Sequence, residues 1–523
     1  MRPLYYAICI IIGLIAGRYL YNGKSDSGVF SSSGKGKIQD ILKKVDEYYV
    51  DDVDMKALQE KTISDLLEYL DPHSHYVSAE DLQFETERME GNFDGIGVEF
   101  RIIKDTLCVL HAINGGPSAK AGILAGDKII SVNKSNFTGK KITNELAMKT
   151  LRGTKGSEVL VNVLRKGKLL SIPIVRGEIP LNSIEVTTVL NSNVGYIKIS
   201  MFSKKTASEF KAAALSLKNQ NIQSLIIDVR GNPGGLMEGV VDVVSQLLEE
   251  NKLIVYTKGR SESEKYYSKK DGTFTKIPIA ILVDENSASA SEILAGAIQD
   301  NDRGIVIGRR TYGKGLVQRP FTLKDGSSLR LTIARYYTPV GRCIQRDYAN
   351  GIEEYHEESQ ARILSGELNS KDSIPVVDSL KFKTPKGKVV YGGGGIIPDV
   401  FVSFDTTQYS LLFQQIMDEM LIDQYFIQHI HKWLPLINDK SVSGSYLALK
   451  KSVLFTQFIT YLKSNPKIVW NEQQYQRSKN AIENQLLGRF LKAKFDNLGH
   501  YYPSLLDDKV ILKALESMNK SDF

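Results

Sequence analysis

The 523 residues carry 67 Lys and Arg against 60 Asp and Glu, and 42% of them are hydrophobic. That is the composition of a globular chain of roughly two to four domains, which excludes a disordered protein. The small positive excess is spread along the chain without an arginine-rich arm, so no nucleic-acid partner is expected.

At the N-terminus Arg2 precedes an uncharged apolar run from Pro3 to Gly17, followed by Arg18, Tyr19, Leu20 and Tyr21. A positive start and a short apolar stretch predict a signal peptide or signal anchor over 1–23. The run is short for a membrane span, but Arg18 can snorkel and the tyrosines suit the interface. No small-x-small cleavage site follows, which favours an uncleaved anchor. Residues 24–37 are a Gly/Ser-rich linker.

From residue 38 to 92 a helical N-terminal region is expected, with Ile38, Ile41, Leu42 and Val45, then Leu58, Ile63, Leu66 and Leu67, at helical spacing. These read as two or three helices, and Asp71-Pro72 stops the last one. His73 and His75 follow, two apart in a turn, and read as surface residues rather than metal ligands. Cys9, Cys108 and Cys343 have no zinc-type spacing, and the last two allow at most one bridge. Without a His-Glu-x-x-His motif either, no metal is expected, and no organic cofactor.

Residues 93–177 change to short strands with glycine turns. Gly95-Ile96-Gly97-Val98 opens the region, and Leu107 to Ile113 reads as an alternating strand. Ala121-Gly122-Ile123-Leu124-Ala125-Gly126-Asp127-Lys128-Ile129 follows, then a helix over Thr143–Leu151 and a strand over Val159–Leu164. This arrangement resembles a PDZ domain. The resemblance implies that Gly95, Ile96, Gly97 and Val98 form a loop offering backbone N–H groups to a peptide's terminal carboxylate, beside a strand that pairs with the peptide.

Residues 178–405 predict an α/β core with a mainly parallel sheet. Strands are expected at Val194–Ile199, Leu225–Val229 and Ile279–Val283. Helices are expected at Ala207–Lys218, Leu236–Glu250 and Ser289–Asp300. The charged stretch 346–391 reads as an inserted surface excursion near the cleft. Residues 406–523, with Leu411, Leu412, Ile416 and Met420 on one helical face, predict a helical C-terminal domain without recognisable chemistry; His429 and His431 do not share a face.

The chemistry concentrates in Asn286-Ser287-Ala288-Ser289-Ala290-Ser291-Glu292 and Gly313-Lys314-Gly315-Leu316-Val317-Gln318. None of the seven histidines lies near either segment in sequence. A serine activated by a lysine is a known variant of the triad logic. The serines sit where a strand ends and a helix begins, so free N–H groups and the helix dipole suit an oxyanion. Ser287, Ser289 and Ser291 compete as nucleophile; a plainer role for one of them is an N-cap that Glu292 or a neighbour completes, and Ser287 is the best N-cap candidate. A lysine acts as a base only if its pKa falls, and burial lowers it. Gln318 falls on the same face of an extended strand as Lys314, and their side chains can converge if the strand bends. Gly234-Gly235 lacks the Walker lysine pattern of a phosphate loop.

A PDZ module followed by Asp228-Val229-Arg230-Gly231-Asn232-Pro233-Gly234-Gly235, then Ser-Ala-Ser-Ala-Ser-Glu, then Gly-Lys-Gly, resembles the carboxyl-terminal processing (tail-specific) serine proteases of peptidase family S41. The resemblance covers about 38–405. It implies a multidomain α/β protein whose ClpP/crotonase-like protease core follows or receives a PDZ domain, with helical regions at both ends. It places the nucleophile on Ser289, with Ser291 as the alternative, the general base on Lys314, and the orienter of the lysine on Gln318. The implied oxyanion-hole donors are the N–H groups of Gly235 (alternatively Gly234) and Ala290, while Asp228 and Arg230 are structural. The expected partners are protein or peptide substrates with free C-termini, and the membrane through the N-terminal segment. The expected place is the bacterial cell envelope, exported to the periplasmic side and anchored in the inner membrane. A homo-oligomer is compatible with the sequence. Two rivals are a catalytically silent PDZ adaptor on this fold and a crotonase-like acyl-transfer enzyme; a serine-reactive phosphonate and a coenzyme A binding assay separate them.

Overall fold

The computed structural model describes residues 36–518 except 192, 271 and 438–440, so the expected anchor at 1–23 and the linker up to residue 35 lie outside the described residues. Among the described residues no helix is long and apolar enough to cross a membrane. Residues up to Leu70 form one compact unit and Asp71–Phe523 a second. The first contains the helices Lys37–Tyr48 and Met55–Glu68. The second of these is capped by Asp54, whose carboxylate accepts the N–H groups of Lys56 and Ala57 at 3.0 Å.

The second unit is built on a six-stranded sheet in the order Ile184–Leu190, Val194–Ile199, Ser224–Asp228, Ile279–Val283, Ile305–Gly308, Val400–Phe401. The first pair is antiparallel and the rest are parallel. Ser224–Asp228 and Ile279–Val283 are buried at every position, as continuous apolar runs require when both faces are covered. Leu225, Ile227, Ile279 and Ile281 pack on the helices Thr206–Asn219, Met237–Ser245 and Ala290–Asp300. Ile226, Ala280 and Leu282 instead meet Leu505, Val510 and Ile511 from the end of the chain. The C-terminal helices therefore complete the core of the six-stranded sheet rather than standing apart from it. The helix expected over Leu236–Glu250 is regular only over Met237–Ser245.

The PDZ-like module has the strand order Val98–Ile103, Thr106–Ala112, Lys128–Val132, Glu158–Arg165, Lys168–Val175 and the helix Asn144–Leu151. Its second strand does not alternate between buried and exposed. Leu107 and Val109 enter the module's own core, while Cys108 and Leu110 enter the core of the C-terminal helices with Ile416, Tyr425 and Phe490. The outer face is covered, so an alternation of inside and outside has no meaning there. Cys108 and Cys343 are both free thiols. The long helix Glu472–Leu505 breaks at Phe495–Asp496, where Asp496 adopts φ 49°. At that break its carboxylate accepts His111 Nε2 at 2.6 Å and Asn114 Nδ2 at 2.8 Å.

The 346–391 segment is largely exposed, but a few of its residues are anchored inside. Its helix Ile352–Leu364 buries Tyr355 and Arg362. Arg310 and Arg362 both grip the buried carboxylate of Glu367, and Arg362 also donates to the carbonyls of Arg310 and Thr311. Arg362 and Glu367, two of its many charges, are paired inside and buttress the chain just before Gly313, while most of the others stay exposed.

Arg342 and Asp300 form an ion pair in which both side chains are 0% exposed, at the C-terminal end of the Ala290–Asp300 helix. Arg342→Met should destabilise the protein by about 3–5 kcal/mol, because Asp300 is left buried without its counter-charge. Urea denaturation followed by circular dichroism measures this, and adding Asp300→Leu should recover part of the loss.

Candidate active site

The three serines have different surroundings. Ser287 is fully buried, donates its hydroxyl to Val229 O at 2.8 Å and accepts the N–H of Asp284 at 3.0 Å. Ser291 is fully buried and donates to Asn232 O at 3.0 Å. Both pin the serine turn to the Asp228–Gly235 loop. Ser289 alone is partly exposed, and it is Ser289 rather than Ser287 that occupies the N-cap position of the Ala290–Asp300 helix. Its backbone is at φ 53°, ψ −112°, a conformation that a non-glycine residue holds only when its surroundings impose it.

Glu292 imposes it. This carboxylate is completely buried. One oxygen accepts the N–H groups of Ser289 at 2.8 Å and Lys314 at 2.9 Å; the other accepts Gly313 N–H at 2.7 Å and the Thr311 hydroxyl at 2.5 Å. Burial pushes its pKa up to about 7, against the four donors that favour the charged form. The hydroxyl of buried Tyr336 lies 2.5 Å from Lys314 O and 3.1 Å from Ser289 O. Two buried side chains thus fasten the peptides of Ser289 and Lys314 together, although Ser289 Oγ and Lys314 Nζ are not hydrogen-bonded to each other.

Lys314 is half-buried, and desolvation, reinforced by the nearby Arg330 charge, lowers its pKa from the ordinary lysine value. Its Nζ donates to Gln318 Oε1 at 3.0 Å. The convergence comes from a register shift between Val317 and Gln318 in the strand Leu316–Thr322, a β-bulge of the kind that re-aims a side chain. Gln318 Nε2 donates to the carbonyl of His73.

The glycine pair closes the site. Gly234 has φ +105°, and a Cβ there would stand 2.7 Å from Ser289 Cβ, so no larger residue fits against the serine. Its N–H is committed to Asn232 Oδ1 at 2.8 Å. Among the described residues, the N–H groups of Gly235 and Ala290 donate to none. Asp228 is buried, held by the Tyr196 hydroxyl at 2.7 Å and Arg230 at 2.6 Å, while Arg230 continues to Asp508 at 2.9 Å. Against the penalty of burial, Arg230 and Lys198 hold the Asp228 carboxyl well below the usual carboxylate range.

In the PDZ-like module the carbonyls of Ile96 and Gly97 accept Ser118 N–H at 2.9 Å and Ile113 N–H at 3.1 Å. The N–H groups of Ile96 and Gly97 donate to none of the described residues. The adjoining edge strand is tied to the C-terminal helices by ion pairs, Glu99 to Lys492 at 2.6 Å and to Arg489 at 3.3 Å, and Arg101 to Asp423 at 3.5 Å.

In the sequence Glu292 reads only as part of a helix cap, and nothing there marks Tyr336, Asn232 or the His73 carbonyl as part of the site. The three-residue spacing from Ser289 to Glu292 was a visible capping signal. That the same carboxylate reaches the 311–314 segment was not visible.

A PDZ domain model matches residues 95–175 and a peptidase family S41 model matches residues 193–355. The carboxy-terminal processing protease CtpB of Bacillus subtilis (strain 168) is 34% identical over 346 residues, which are 65% of this chain and 71% of that protein. A carboxy-terminal-processing protease of Bartonella bacilliformis is 35% identical over 314 residues, 58% of this chain and 71% of its own length. Among solved structures, a photosystem II D1 C-terminal processing protease aligns with 71% of this chain and 93% of its own, at 24% identity and a TM-score of 0.37.

Glu292→Gln turns one acceptor oxygen into an NH₂ group facing two donors, whichever way the amide points. We expect kcat to fall about a hundredfold with a smaller change in KM, together with about 1–3 kcal/mol of destabilisation. Peptide-cleavage kinetics and thermal melting on the same preparation test this.

Proposed function

Because this chain belongs to the carboxy-terminal processing serine proteases of peptidase family S41, we propose that Ser289 is its nucleophile and Lys314 its general base, acting on protein substrates at or near their C-terminal tails. The observation that carries this reading is the shared grip of Glu292 on the peptides of Ser289 and Lys314, with the two rival serines buried as structural donors.

Neutral Lys314 takes the proton of Ser289 Oγ as the oxygen adds to the scissile carbonyl. The N–H groups of Gly235 and Ala290 receive the oxyanion, supported by the helix N-terminus behind Ala290. Collapse breaks the C–N bond, protonated Lys314 delivers its proton to the leaving amine, and an acyl-enzyme remains on Ser289. Water, deprotonated by Lys314, releases it. Gln318 orients the amine through the bond to its Oε1. No step calls on a metal or an organic cofactor.

The Gly95–Val98 loop would take the terminal carboxylate on the free N–H groups of Ile96 and Gly97, and the tail would pair with the Val98–Ile103 edge strand. Glu99 and Arg101 on that strand hold the module to the C-terminal helices, so a tail pairing there also acts on the module's docking. That supports recognition coupled to gating. The N-terminal segment would place the enzyme on the periplasmic side of the cell envelope, anchored to the inner membrane.

Ser289→Ala and Lys314→Ala should each lower kcat at least about a thousandfold without unfolding the protein, and the double variant should be scarcely worse than either. Near-normal turnover by Ser289→Ala, with loss in Ser291→Ala, would overturn the assignment. Activity should rise with pH, because the amine must be neutral to act, and the rise should fall below the ordinary lysine pKa of 10.5. A flat rate from mildly acid to strongly alkaline pH under single-turnover conditions contradicts Lys314. Amidating the C-terminus of a substrate peptide should weaken kcat/KM by about 1.5–3 kcal/mol, the worth of a charge-assisted bond. Equal cleavage of free-acid and amidated peptides removes the carboxylate-reading claim and leaves the dyad untouched.

A further inference from the structure

Two features that this chemistry leaves unused meet behind Lys314: the Asp71-Pro72-His73-Ser74 turn and the helix of the 346–391 segment. Asp71 is buried, and one of its oxygens accepts the N–H groups of His73 and Ser74 at 2.9 Å while the other accepts the Ser74 hydroxyl at 2.6 Å. Thr332 bolts the turn to the strand Ser328–Tyr337. Its hydroxyl donates to Asp71 Oδ1 at 3.0 Å and its N–H donates to Ser74 Oγ at 3.0 Å. Thr332 is also the residue that faces Gln318 across the strand pair. The turn therefore presents the His73 carbonyl to the Gln318 side chain, and that carbonyl accepts Gln318 Nε2.

The two ends of a glutamine amide are alike in shape and opposite in hydrogen bonding. An acceptor fixed at the Nε2 end leaves Oε1 directed at Lys314 Nζ. With that acceptor displaced, the amide is free to rotate and offer donors to the amine.

The His73 ring is held from its other side. Its Nε2 lies 2.7 Å from the Tyr355 hydroxyl, and the two rings meet edge to face with centroids 5.4 Å apart. Tyr355 is buried, and the Arg346 guanidinium lies 4.0 Å from its ring centroid. Burial, with the charges of Lys314 and Arg346, drives the His73 pKa down to about 3, against the opposing pull of Asp71, so the ring stays neutral. The same stretch of chain also touches both neighbours of Lys314. Arg346 N–H donates to Gly313 O at 3.0 Å, and Gln345 Oε1 accepts Gly315 N–H at 2.8 Å.

We propose that His73 and Tyr355 are positioning residues of the catalytic base: the Tyr355–His73 bond fixes the His73 peptide, its carbonyl fixes the Gln318 amide, and the amide orients Lys314. This rests on the reading of Lys314 as base and Gln318 as its orienter. It gives the 346–391 segment a part in catalysis through contacts that never reach the substrate.

The test is a double-mutant cycle in the full chain, with a fluorescence-quenched peptide ending in a free apolar residue. Tyr355→Phe should lower kcat about tenfold with KM within about twofold, and Gln318→Ala should lower it at least as far. The double variant should be no slower than Gln318→Ala alone, since both substitutions break one chain of contacts. A merely structural Tyr355 would give losses that multiply. Multiplying losses, or full kcat in Tyr355→Phe, overturns the positioning role while an inactive Lys314→Ala keeps the base reading standing. Full kcat in Gln318→Ala removes the orienter, and the inference with it; full kcat in Lys314→Ala removes the base itself. If Tyr355→Phe is not folded by circular dichroism, His73→Phe, which removes the other half of the bond and keeps a ring, enters the same cycle.

Discussion

A single buried carboxylate holds this protein's chemistry together. Glu292 receives four donors from two chain segments, including the peptide N–H groups of Ser289 and Lys314. Taking a carboxylate out of water costs several kcal/mol, and only a full set of hydrogen bonds offsets it. That requirement is what makes the arrangement specific. If the 311–314 segment moved away, the carboxyl would lose three of its donors inside a dry core. Ser289 is held in a strained backbone conformation by the same demand.

Around this link the structure is layered in support. Ser287, Ser291 and Asn232 join the serine turn to the glycine loop, and Gly234 leaves no room for that loop to shift toward the serine. Thr311 is braced by Arg362 and Glu367 from the inserted segment. On the far face of the sheet, Arg230 carries the charge of buried Asp228 outward to Asp508 near the end of the chain. Each of these ties is a satisfied polar group at a place where an unsatisfied one would be expensive.

The C-terminal helices carry a second role. The Glu472–Leu505 helix packs against the PDZ module before its break at Asp496 and against the protease sheet after it. A PDZ module docked through Cys108, Leu110 and a few ion pairs has a defined seat, whereas a module on a bare linker would not. The seat is made partly of half-buried charge pairs, Glu99 with Arg489 and Lys492, with the more exposed Arg101 beside buried Asp423.

The strands Val194–Ile199 and Ile279–Val283 and the helix following Ser289 were legible in the chain, because periodicity and local motif are properties of neighbouring residues. So was the family, since its motifs are short and local. The tertiary structure decided the rest. It buried Ser287 and Ser291 and left Ser289 partly exposed, and it turned Gln318 toward Lys314 with a bulge that no spacing predicts. It took the inside–outside alternation from the Leu107 strand by covering both faces, and it drew His73 and Tyr355, 282 positions apart, into one hydrogen bond. Burial and long-range contact are set by which surfaces meet, and a sequence states that only through the whole fold.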